Sequence, residues 1–246
     1  MTSSTILYEI RNHVATITLN RPHVKNALNT ELHIALYEAL DEAKHDKHVN
    51  VIVLQGANNA FCAGADLKSI PEEELLSFDY GNYLDGTYNK LIRLMVSIDK
   101  PLVAYINGIA VGAGLSIALA CDYRVATKKA LMGLGFLKIG LVPDAGASFF
   151  LPRIVGLGKA NELALGEIID AEEAYRIHLI NRIDNLDELI TQLVKMPKQA
   201  FGMMKRTFRT SFEQDLESVL QQEVTNQRKA GQTAEHKIAV QQFLSR

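Results

Sequence analysis

The 246-residue chain is poor in cysteine, has almost no excess of charge and lacks the common phosphate-binding loops. Its two cysteines cannot form a disulfide framework, so a reducing compartment, the cytoplasm, is the expected location. Its 26 basic and 28 acidic residues leave a formal charge of -2, which excludes the electrostatic footprint of a nucleic-acid-binding protein. No GxGxxG turn and no GxxxxGK[ST] loop is present, so neither common nucleotide-binding motif is available.

One uncharged stretch, residues 101–121, is long enough to cross a membrane. Pro101 opens it, and Gly108, Gly112 and Gly114 interrupt it. This punctuation predicts a strand, a glycine-rich turn and a buried helix, so no membrane span is expected. The N-terminal segment alternates apolar and polar residues and lacks the apolar centre of a signal peptide.

The spacing of apolar residues predicts an α/β protein. Residues 5–11 and 13–19 alternate as a strand pair, and residues 30–45 have helical spacing, with Thr30 available as a cap. Residues 1–185 are predicted to form the layered core and residues 186–246 a helical region. Within them, buried strands are predicted at 49–57 and 101–107, a further strand at 121–127, and helices at 71–98, 113–121, 144–155, 159–165 and 171–177. The helix at 71–98 is predicted from Pro71 and the acidic residues Glu72, Glu73 and Glu74, which are typical of a helix start.

Two turns of small residues follow predicted buried strands. They are FCAGADLK at residues 61–68 and NGIAVGAG at residues 107–114. Small side chains let backbone N–H groups face a ligand, and two convergent N–H groups form an oxyanion hole. On the residues alone, tight packing of strand against helix is the better explanation of these small side chains.

Four segments resemble the motifs of the crotonase (enoyl-CoA hydratase/isomerase) superfamily. They are the two turns, the NRP and NAL motifs within residues 20–28, and IGLVPDAGASFFLPRIVG at residues 139–156. The motifs are most similar to those of the branch with epoxyphenylacetyl-CoA and enoyl-CoA isomerases. The resemblance implies a spiral of repeated ββα units, a C-terminal helical oligomerisation region, and assembly into trimers or dimers of trimers.

The resemblance also implies an acyl-CoA thioester substrate, whose carbonyl oxygen is held by the backbone N–H groups of Ala65 and Ala113. The family usually has glycine at the second position, and alanine keeps the N–H. No metal and no cofactor are expected, because coenzyme A is part of the substrate. The CoA-binding residues implied by the match are Lys25, Ala63, Ala65, Asp66, Leu67, Lys68, Phe243 and Arg246. For the last two, the ordinary apolar face of a terminal helix is an equally good explanation.

The catalytic acids depart from the hydratase pattern. Hydratases of this family use two glutamates, and the matching positions here hold Ser116 and Phe136. Neither side chain cycles a proton as a carboxylate does near neutral pH. Asp144 is the acid that remains in the right segment, since it and Lys138 are the only charged residues within 131–150. Phe136 is then expected to shape a dry acyl pocket together with Phe149.

Two interpretations of Asp144 follow. An apolar pocket raises the pKa of a carboxyl group toward the range of a general base. Alternatively, Asp144 caps a helix that starts at Ala145. The resemblance favours the first, because an aspartate at this place shuttles protons in isomerases and is the nucleophile in dehalogenases of the superfamily.

Three functions remain open after this reasoning. The favoured one is an enoyl-CoA isomerase with Asp144 as proton shuttle. The alternatives are a hydratase in which Asp144 alone activates water, and an acyl-CoA-binding protein with little turnover. Other candidates are weaker: His45 and His48 have no third metal ligand nearby, Cys62 has no neighbouring histidine, and Ser116 lacks the context of a nucleophile elbow.

Overall fold

The computed structural model describes residues 4–71, 73 and 77–245. The strands in this part of the chain are β1 (Ile6–Arg11), β2 (Val14–Leu19), β3 (Val51–Gly56), β4 (Ala60–Cys62), β5 (Leu102–Ile106), β6 (Ile109–Val111), β7 (Tyr123–Ala126), β8 (Leu131–Gly133), β9 (Ile169–Asp170) and β10 (Arg182–Ile183). The α-helices are α1 (Thr30–His45), α2 (Tyr80–Gly86), α3 (Tyr88–Ser97), α4 (Ala113–Ala120), α5 (Ala147–Val155), α6 (Leu157–Ala164), α7 (Ala171–Arg176), α8 (Leu186–Val194), α9 (Lys198–Thr210), α10 (Leu216–Gly231) and α11 (Ala234–Leu244).

Two sheets form the core, and successive repeats place one strand in each. The larger sheet has the order β1-β2-β3-β5-β7-β10, and the smaller has the order β4-β6-β8-β9. Apart from the antiparallel hairpin β1–β2, neighbours in the larger sheet are parallel. The pairs β3–β4, β5–β6 and β7–β8 each run from the larger sheet to the smaller one. The predicted α/β spiral of repeated units is therefore confirmed.

The uncharged stretch at 101–121 forms β5 and the fully buried helix α4, as predicted, while the predicted glycine-rich turn between them contains the short strand β6. Its hydrophobicity therefore reflects burial inside the protein. Within the described ranges, no helix combines the length and the apolar character that crossing a bilayer requires.

The predicted helix over residues 71–98 is wrong in its first part. The described residues 77–79 are not helical, and α2 begins only at Tyr80, where Asp79 accepts a hydrogen bond from the Asn82 N–H at 2.9 Å. Thr87 then separates α2 from α3. The acidic run is not the start of α2, and part of it lies outside the described residues, at Glu72 and Glu74.

The cap of α1 also differs from the prediction. The side chain of Asn29, one residue before Thr30, accepts a hydrogen bond from the Leu32 N–H at 3.0 Å. Both residue types are good caps, so the sequence pattern alone did not distinguish the two neighbours.

After β10 the described chain contains helices and no further strand. Helix α8 and the start of α9 pack on the larger sheet through a cluster formed by Leu189, Leu193, Phe201, Val51, Val53, Val103 and Val125. The last two helices bury no residue. They leave a set of large apolar side chains exposed: Leu216, Leu220, Val224, Ile238, Val240, Phe243 and Leu244. The domain boundary between residues 185 and 186 stays a prediction.

A buried charge cluster fixes α9 to the core. The Lys205 ammonium lies 2.6 Å from one carboxylate oxygen of Asp122, and Arg209 lies 3.1 Å from the other. The same carboxylate accepts a hydrogen bond from the Leu102 N–H at 2.9 Å. Lys205 is 5 % exposed, so removing its partner leaves an uncompensated charge inside the protein.

We expect Asp122→Ala to lower the free energy of unfolding by about 3 kcal/mol, because breaking a buried ion pair strands the other charge. The matched control is Asp99→Ala, which removes an exposed ion pair between Asp99 and Arg206 of α9. This change should lower the free energy of unfolding by less than about 1 kcal/mol. Urea unfolding of both variants at one protein concentration measures the difference. Equal losses would contradict the assignment of α9 docking to Asp122.

Candidate active site

The first turn of small residues is fixed by a parallel bridge between Leu28 and Ala65. The Leu28 N–H donates to the Gly64 carbonyl at 2.8 Å, and the Asp66 N–H donates to the Leu28 carbonyl at 2.9 Å. In this pattern the N–H of Ala65 itself points away from Leu28. No hydrogen bond within the described residues engages this N–H.

The second turn ends at the N-terminus of α4. Ala113 is the first residue of this helix, and Gly112 before it has φ of 56° and provides no side-chain cap. The first N–H groups of a helix have no partner within the helix, and the helix dipole favours negative charge there. The Ala113 N–H has no partner within the described part of the chain.

Glycines allow the two turns to approach each other. A β-carbon on Gly64 would lie 2.9 Å from the Val111 carbonyl oxygen and 3.7 Å from the Ala113 nitrogen. Gly64 also has φ of +94°, which side chains disfavour. A β-carbon on Gly114 would lie 2.4 Å from the Cys62 carbonyl oxygen. The small residues therefore serve tight packing, and that packing leaves two unpaired N–H groups on neighbouring turns.

An ion pair holds the first turn in place. The Arg21 guanidinium donates to Asp66 at 2.9 Å and to the Ala27 carbonyl at 2.6 Å. Both charged side chains are largely buried. The Arg21 N–H also donates to the side chain of Asn26 at 2.9 Å. The NRP and NAL motifs thus form the support for the turn. Sequence reasoning missed Arg21, because a contact across 45 residues has no local signal.

A cavity of about 530 Å³ lies between these turns and helices α2 and α3. Among the described residues that line it, the charged ones are Asp66, which is paired with Arg21, and Asp144. The predicted site residues at this cavity are Ala63, Ala65, Asp66, Leu67, Ala113 and Asp144. Five aromatic residues line it as well: Phe78, Tyr80, Tyr83, Tyr88 and Phe136.

Asp144 lies in a tight loop before α5. This helix begins at Ala147, and its N-cap, Gly146, makes no side-chain cap. The contact from Asp144 to the helix is through its backbone carbonyl, which accepts from the Ala147 N–H at 2.9 Å. The interpretation of the Asp144 side chain as a helix cap is therefore wrong. The buried Ala145 has φ of 48°, a strained conformation that the surrounding packing must support.

The carboxyl group of Asp144 is held in an apolar environment. Its Oδ1 atom is buried and has no hydrogen-bond partner within the described residues. Burial raises the pKa of Asp144 to about 6, since a low dielectric disfavours the charged form. A carboxylate with this pKa can take up and return a proton near neutral pH.

The two positions that hold glutamates in hydratases contribute no acid. Ser116 is fully buried, and its hydroxyl donates to the Gly112 carbonyl at 3.2 Å within α4. Phe136 lines the cavity. Phe149, expected beside it, lies instead at a separate cavity, where the Arg153 guanidinium stacks over its ring at 3.7 Å.

Among the described residues, the other predicted CoA-binding residues are not part of the lining of this cavity. Lys25 is exposed and lines a separate cavity, although its carbonyl accepts the Ala63 N–H at 3.0 Å. Lys68 is exposed in a short 3-10 turn, and Phe243 is 76 % exposed on α11. Arg246 lies outside the described residues. Their assignment to CoA stays a prediction.

The other candidates form no second centre. The described ranges contain no group of three or more His, Cys, Asp and Glu side chains arranged to hold a metal ion. Cys62 and Cys121 are free and buried. Burial raises the pKa of the Cys62 thiol to about 12, so the reactive thiolate is not populated at neutral pH.

Comparison with known proteins identifies the family of the chain. The model of the enoyl-CoA hydratase/isomerase family matches residues 9–246. Over 98 % of its length the chain is 33 % identical to the 1,2-epoxyphenylacetyl-CoA isomerase of Escherichia coli K12, of which it covers 95 %. Over 90 % of its length it is 35 % identical to the 4-chlorobenzoyl coenzyme A dehalogenase-2 of Arthrobacter sp, of which it covers 83 %.

Comparison with solved structures points to the same family. It superimposes on an enoyl-CoA hydratase of Thermoplasma volcanium with a TM-score of 0.90 at 29 % identity, covering 98 % of this chain and 97 % of that one. The chain belongs to the enoyl-CoA hydratase/isomerase family and is an acyl-CoA enzyme of that family. The relatives are named as an isomerase, a dehalogenase and a hydratase, so membership leaves the specific reaction open.

The raised pKa of Asp144 has a consequence for stability. Its folded-state pKa, about 6, lies above that of the unfolded chain. Ionisation of Asp144 therefore opposes folding, with no effect below about pH 4 and full effect above about pH 6. Relative to wild type, we expect the free energy of unfolding of Asp144→Asn to rise by about 1 to 2 kcal/mol between pH 4 and pH 6, because only the wild type loses stability there. The effect is limited to this size because partial exposure of Asp144 screens its charge.

Urea unfolding from pH 4 to 7 measures this difference. The control is Asp215→Asn, because hydrogen bonds from Ser218 at the start of α10 lower the pKa of Asp215. Its relative stability should stay nearly constant from pH 4 to 7, because the stabilisation that comes from a lowered pKa is already complete above the pKa of the unfolded chain, about 4. A flat profile for Asp144→Asn would disprove the burial of an ionisable carboxyl group at this position.

Proposed function

We propose that the protein is an enoyl-CoA isomerase that moves a double bond of an acyl-CoA thioester, with Asp144 as the proton shuttle. The observation that carries this proposal is a cavity whose described lining holds one unpaired carboxylate. An isomerisation removes a proton and returns it, so one carboxylate is sufficient. The two glutamates that hydratases of this family use are replaced by Ser116 and Phe136.

The oxyanion is assigned to the two turns. In this proposal the N–H groups of Ala65 and Ala113 donate to the thioester oxygen, whose negative charge grows as the proton leaves. Each such donor contributes about 2.7 to 4 kcal/mol in comparable sites. Support comes from the absence of any other partner for either N–H within the described residues.

The proton transfer balances without any added reactant. The Asp144 carboxylate takes a proton from carbon 2 of a 3-enoyl thioester, and the electron pair of that C–H bond spreads over carbons 2 to 4 and the thioester oxygen. The protonated Asp144 then returns the proton to carbon 4, and the double bond moves from position 3 to position 2. No electrons leave the substrate, and the thioester supplies the acidity, so the proposal includes no metal and no cofactor beyond the CoA of the substrate.

Two alternatives make different use of the same cavity. A carboxylate with a pKa of about 6 can also accept a proton from water, which would make the protein a hydratase that relies on Asp144 alone. An acyl-CoA-binding protein with little turnover would use the cavity for recognition only. Isomerisation is favoured because it requires no second acid.

We expect Asp144→Asn to reduce isomerisation of 3-enoyl-CoA, and exchange of its carbon-2 protons in D₂O, by about 100-fold or more, as loss of a general base typically does. In the wild type the rate should rise with pH through about 6, because the unprotonated carboxylate is the base. Mass spectrometry of deuterium uptake and absorbance of the 2-enoyl product measure both quantities. Ser116→Ala is the control, since this hydroxyl bonds within α4.

Each alternative has its own outcome. Retained proton exchange in Asp144→Asn would refute the proton-shuttle role. Rapid hydration of 2-enoyl-CoA, lost in Asp144→Asn, would identify the hydratase. Tight binding of acyl-CoA with no turnover of either substrate would identify a binding protein.

We also propose that the chain assembles as a homotrimer or a dimer of trimers. Support comes from α10 and α11, which bury no residue within the single chain and expose Leu216, Phe243 and Leu244 at more than 70 %. Apolar patches of this kind mark interaction surfaces. Light scattering on a size-exclusion column should give three or six times the mass of one chain, and a monomer would contradict the assembly.

The cytoplasm is the location we propose. Cys62 and Cys121 are both free thiols, which fits a reducing compartment.

A further inference from the structure

Besides Asp144, a second side chain at the cavity has a buried polar atom without a partner among the described residues. Tyr88, the first residue of α3, lines the cavity and is 3 % exposed. Its hydroxyl is buried and has no hydrogen-bond partner within the described residues. Buried hydroxyl groups are normally paired, and an unpaired one is costly. The cost indicates a partner that arrives with the ligand.

Neighbouring rings hold Tyr88 in this position. The His33 ring lies 4.1 Å from the Tyr88 ring, centroid to centroid, at 82°, and the Tyr83 ring lies 6.1 Å away at 73°. Burial lowers the pKa of His33 to about 4, so His33 packs as a neutral ring at physiological pH. The Tyr88 ring is thus packed on two sides, and turning the hydroxyl toward solvent would break this packing.

The Tyr88 hydroxyl can donate a hydrogen bond and the Asp144 carboxylate can accept one, but the two are not bonded to each other. The Asp144 Oδ1 atom is also buried without a partner among the described residues, and both side chains line the same cavity. Burial raises the pKa of Tyr88, and the nearby carboxyl group of Asp144 raises it further. The hydroxyl therefore stays protonated and is available as a donor.

We propose that Tyr88 determines the specificity for the acyl chain by donating a hydrogen bond to an oxygen that the chain carries beyond the thioester. The preferred substrates are then acyl-CoA thioesters with a hydroxyl, carbonyl or ether oxygen on the chain. This inference rests on the proposed acyl-CoA function. A plain hydrocarbon chain leaves the hydroxyl unpaired in a site from which water is displaced, so the site discriminates against it.

The test compares thioesters that differ by one atom. Butyryl-CoA and methoxyacetyl-CoA differ only by oxygen in place of carbon 3, and valeryl-CoA and 4-hydroxybutyryl-CoA differ only by oxygen in place of carbon 5. None of the four has a double bond to isomerise or to hydrate. Isothermal titration calorimetry gives Kd for each with wild type, Tyr88→Phe and Tyr8→Phe. Tyr8 is the matched control, because its hydroxyl is also buried and unpaired but Tyr8 lies on β1, outside the described lining of the cavity.

We expect wild type to bind the oxygenated member of at least one pair about tenfold more tightly, the effect of one hydrogen bond. Tyr88→Phe should remove or reverse this preference, because an oxygen without a donor is disfavoured in an apolar pocket. Tyr8→Phe should keep it. Since Phe keeps the ring contacts and removes an unpaired hydroxyl, Tyr88→Phe should unfold at the same urea concentration as wild type or a higher one.

Two results would overturn the inference, and they are distinct. Equal binding within both pairs, or a preference that survives in Tyr88→Phe, refutes the role of Tyr88 and leaves the acyl-CoA function intact. Failure of all four thioesters to bind refutes the acyl-CoA site itself.

Discussion

The site depends on how closely two backbone turns approach each other. The contact of Gly64 with the second turn and of Gly114 with Cys62 leaves no room for a β-carbon. Since the turns belong to successive repeats of a parallel spiral, the sheets fix their relative height, and the glycines fix their separation. The result is that Ala65 and Ala113 present N–H groups that the protein itself does not use. A change that separates the turns would affect both donors together, so they act as one structural unit.

The two carboxylates of the cavity differ because of their partners. Asp66 is compensated by Arg21, and its role is to hold the first turn. Asp144 has no such partner, sits next to the strained Ala145 and has a raised pKa. An ion pair would stabilise the charged form of Asp144 and lower its pKa. Because Asp144 has no such pair, the folded protein is less stable, but the carboxylate can act as a base near neutral pH.

The sequence predicts the parts of the fold that are long and periodic, and the parts of the site that carry a motif. The hairpin β1–β2, helix α1 and the buried strands β3 and β5 follow from spacing. The strands of the smaller sheet have only two or three residues, too few to show alternation. The acidic run after Pro71 mimicked a helix start, because charge alone does not specify where a helix begins. Arg21 and Tyr88 were not predictable, since their roles arise from contacts between residues far apart in the chain.

Unpaired polar groups define what the ligand must offer. In the described cavity they include the two N–H groups of Ala65 and Ala113, one oxygen of Asp144 and the hydroxyl of Tyr88. Under the proposed function, a thioester carbonyl accepts hydrogen bonds from the first two, and the third takes a proton from the C–H beside that carbonyl. Under the proposed function these three groups serve any reaction that forms a thioester enolate, so they do not by themselves specify isomerisation. The fourth group has no counterpart in a hydrocarbon chain. Under the proposed function, discrimination between acyl chains therefore falls to the part of the wall that α2 and α3 form, and neither helix supplies the atoms that close on Gly64 and Gly114.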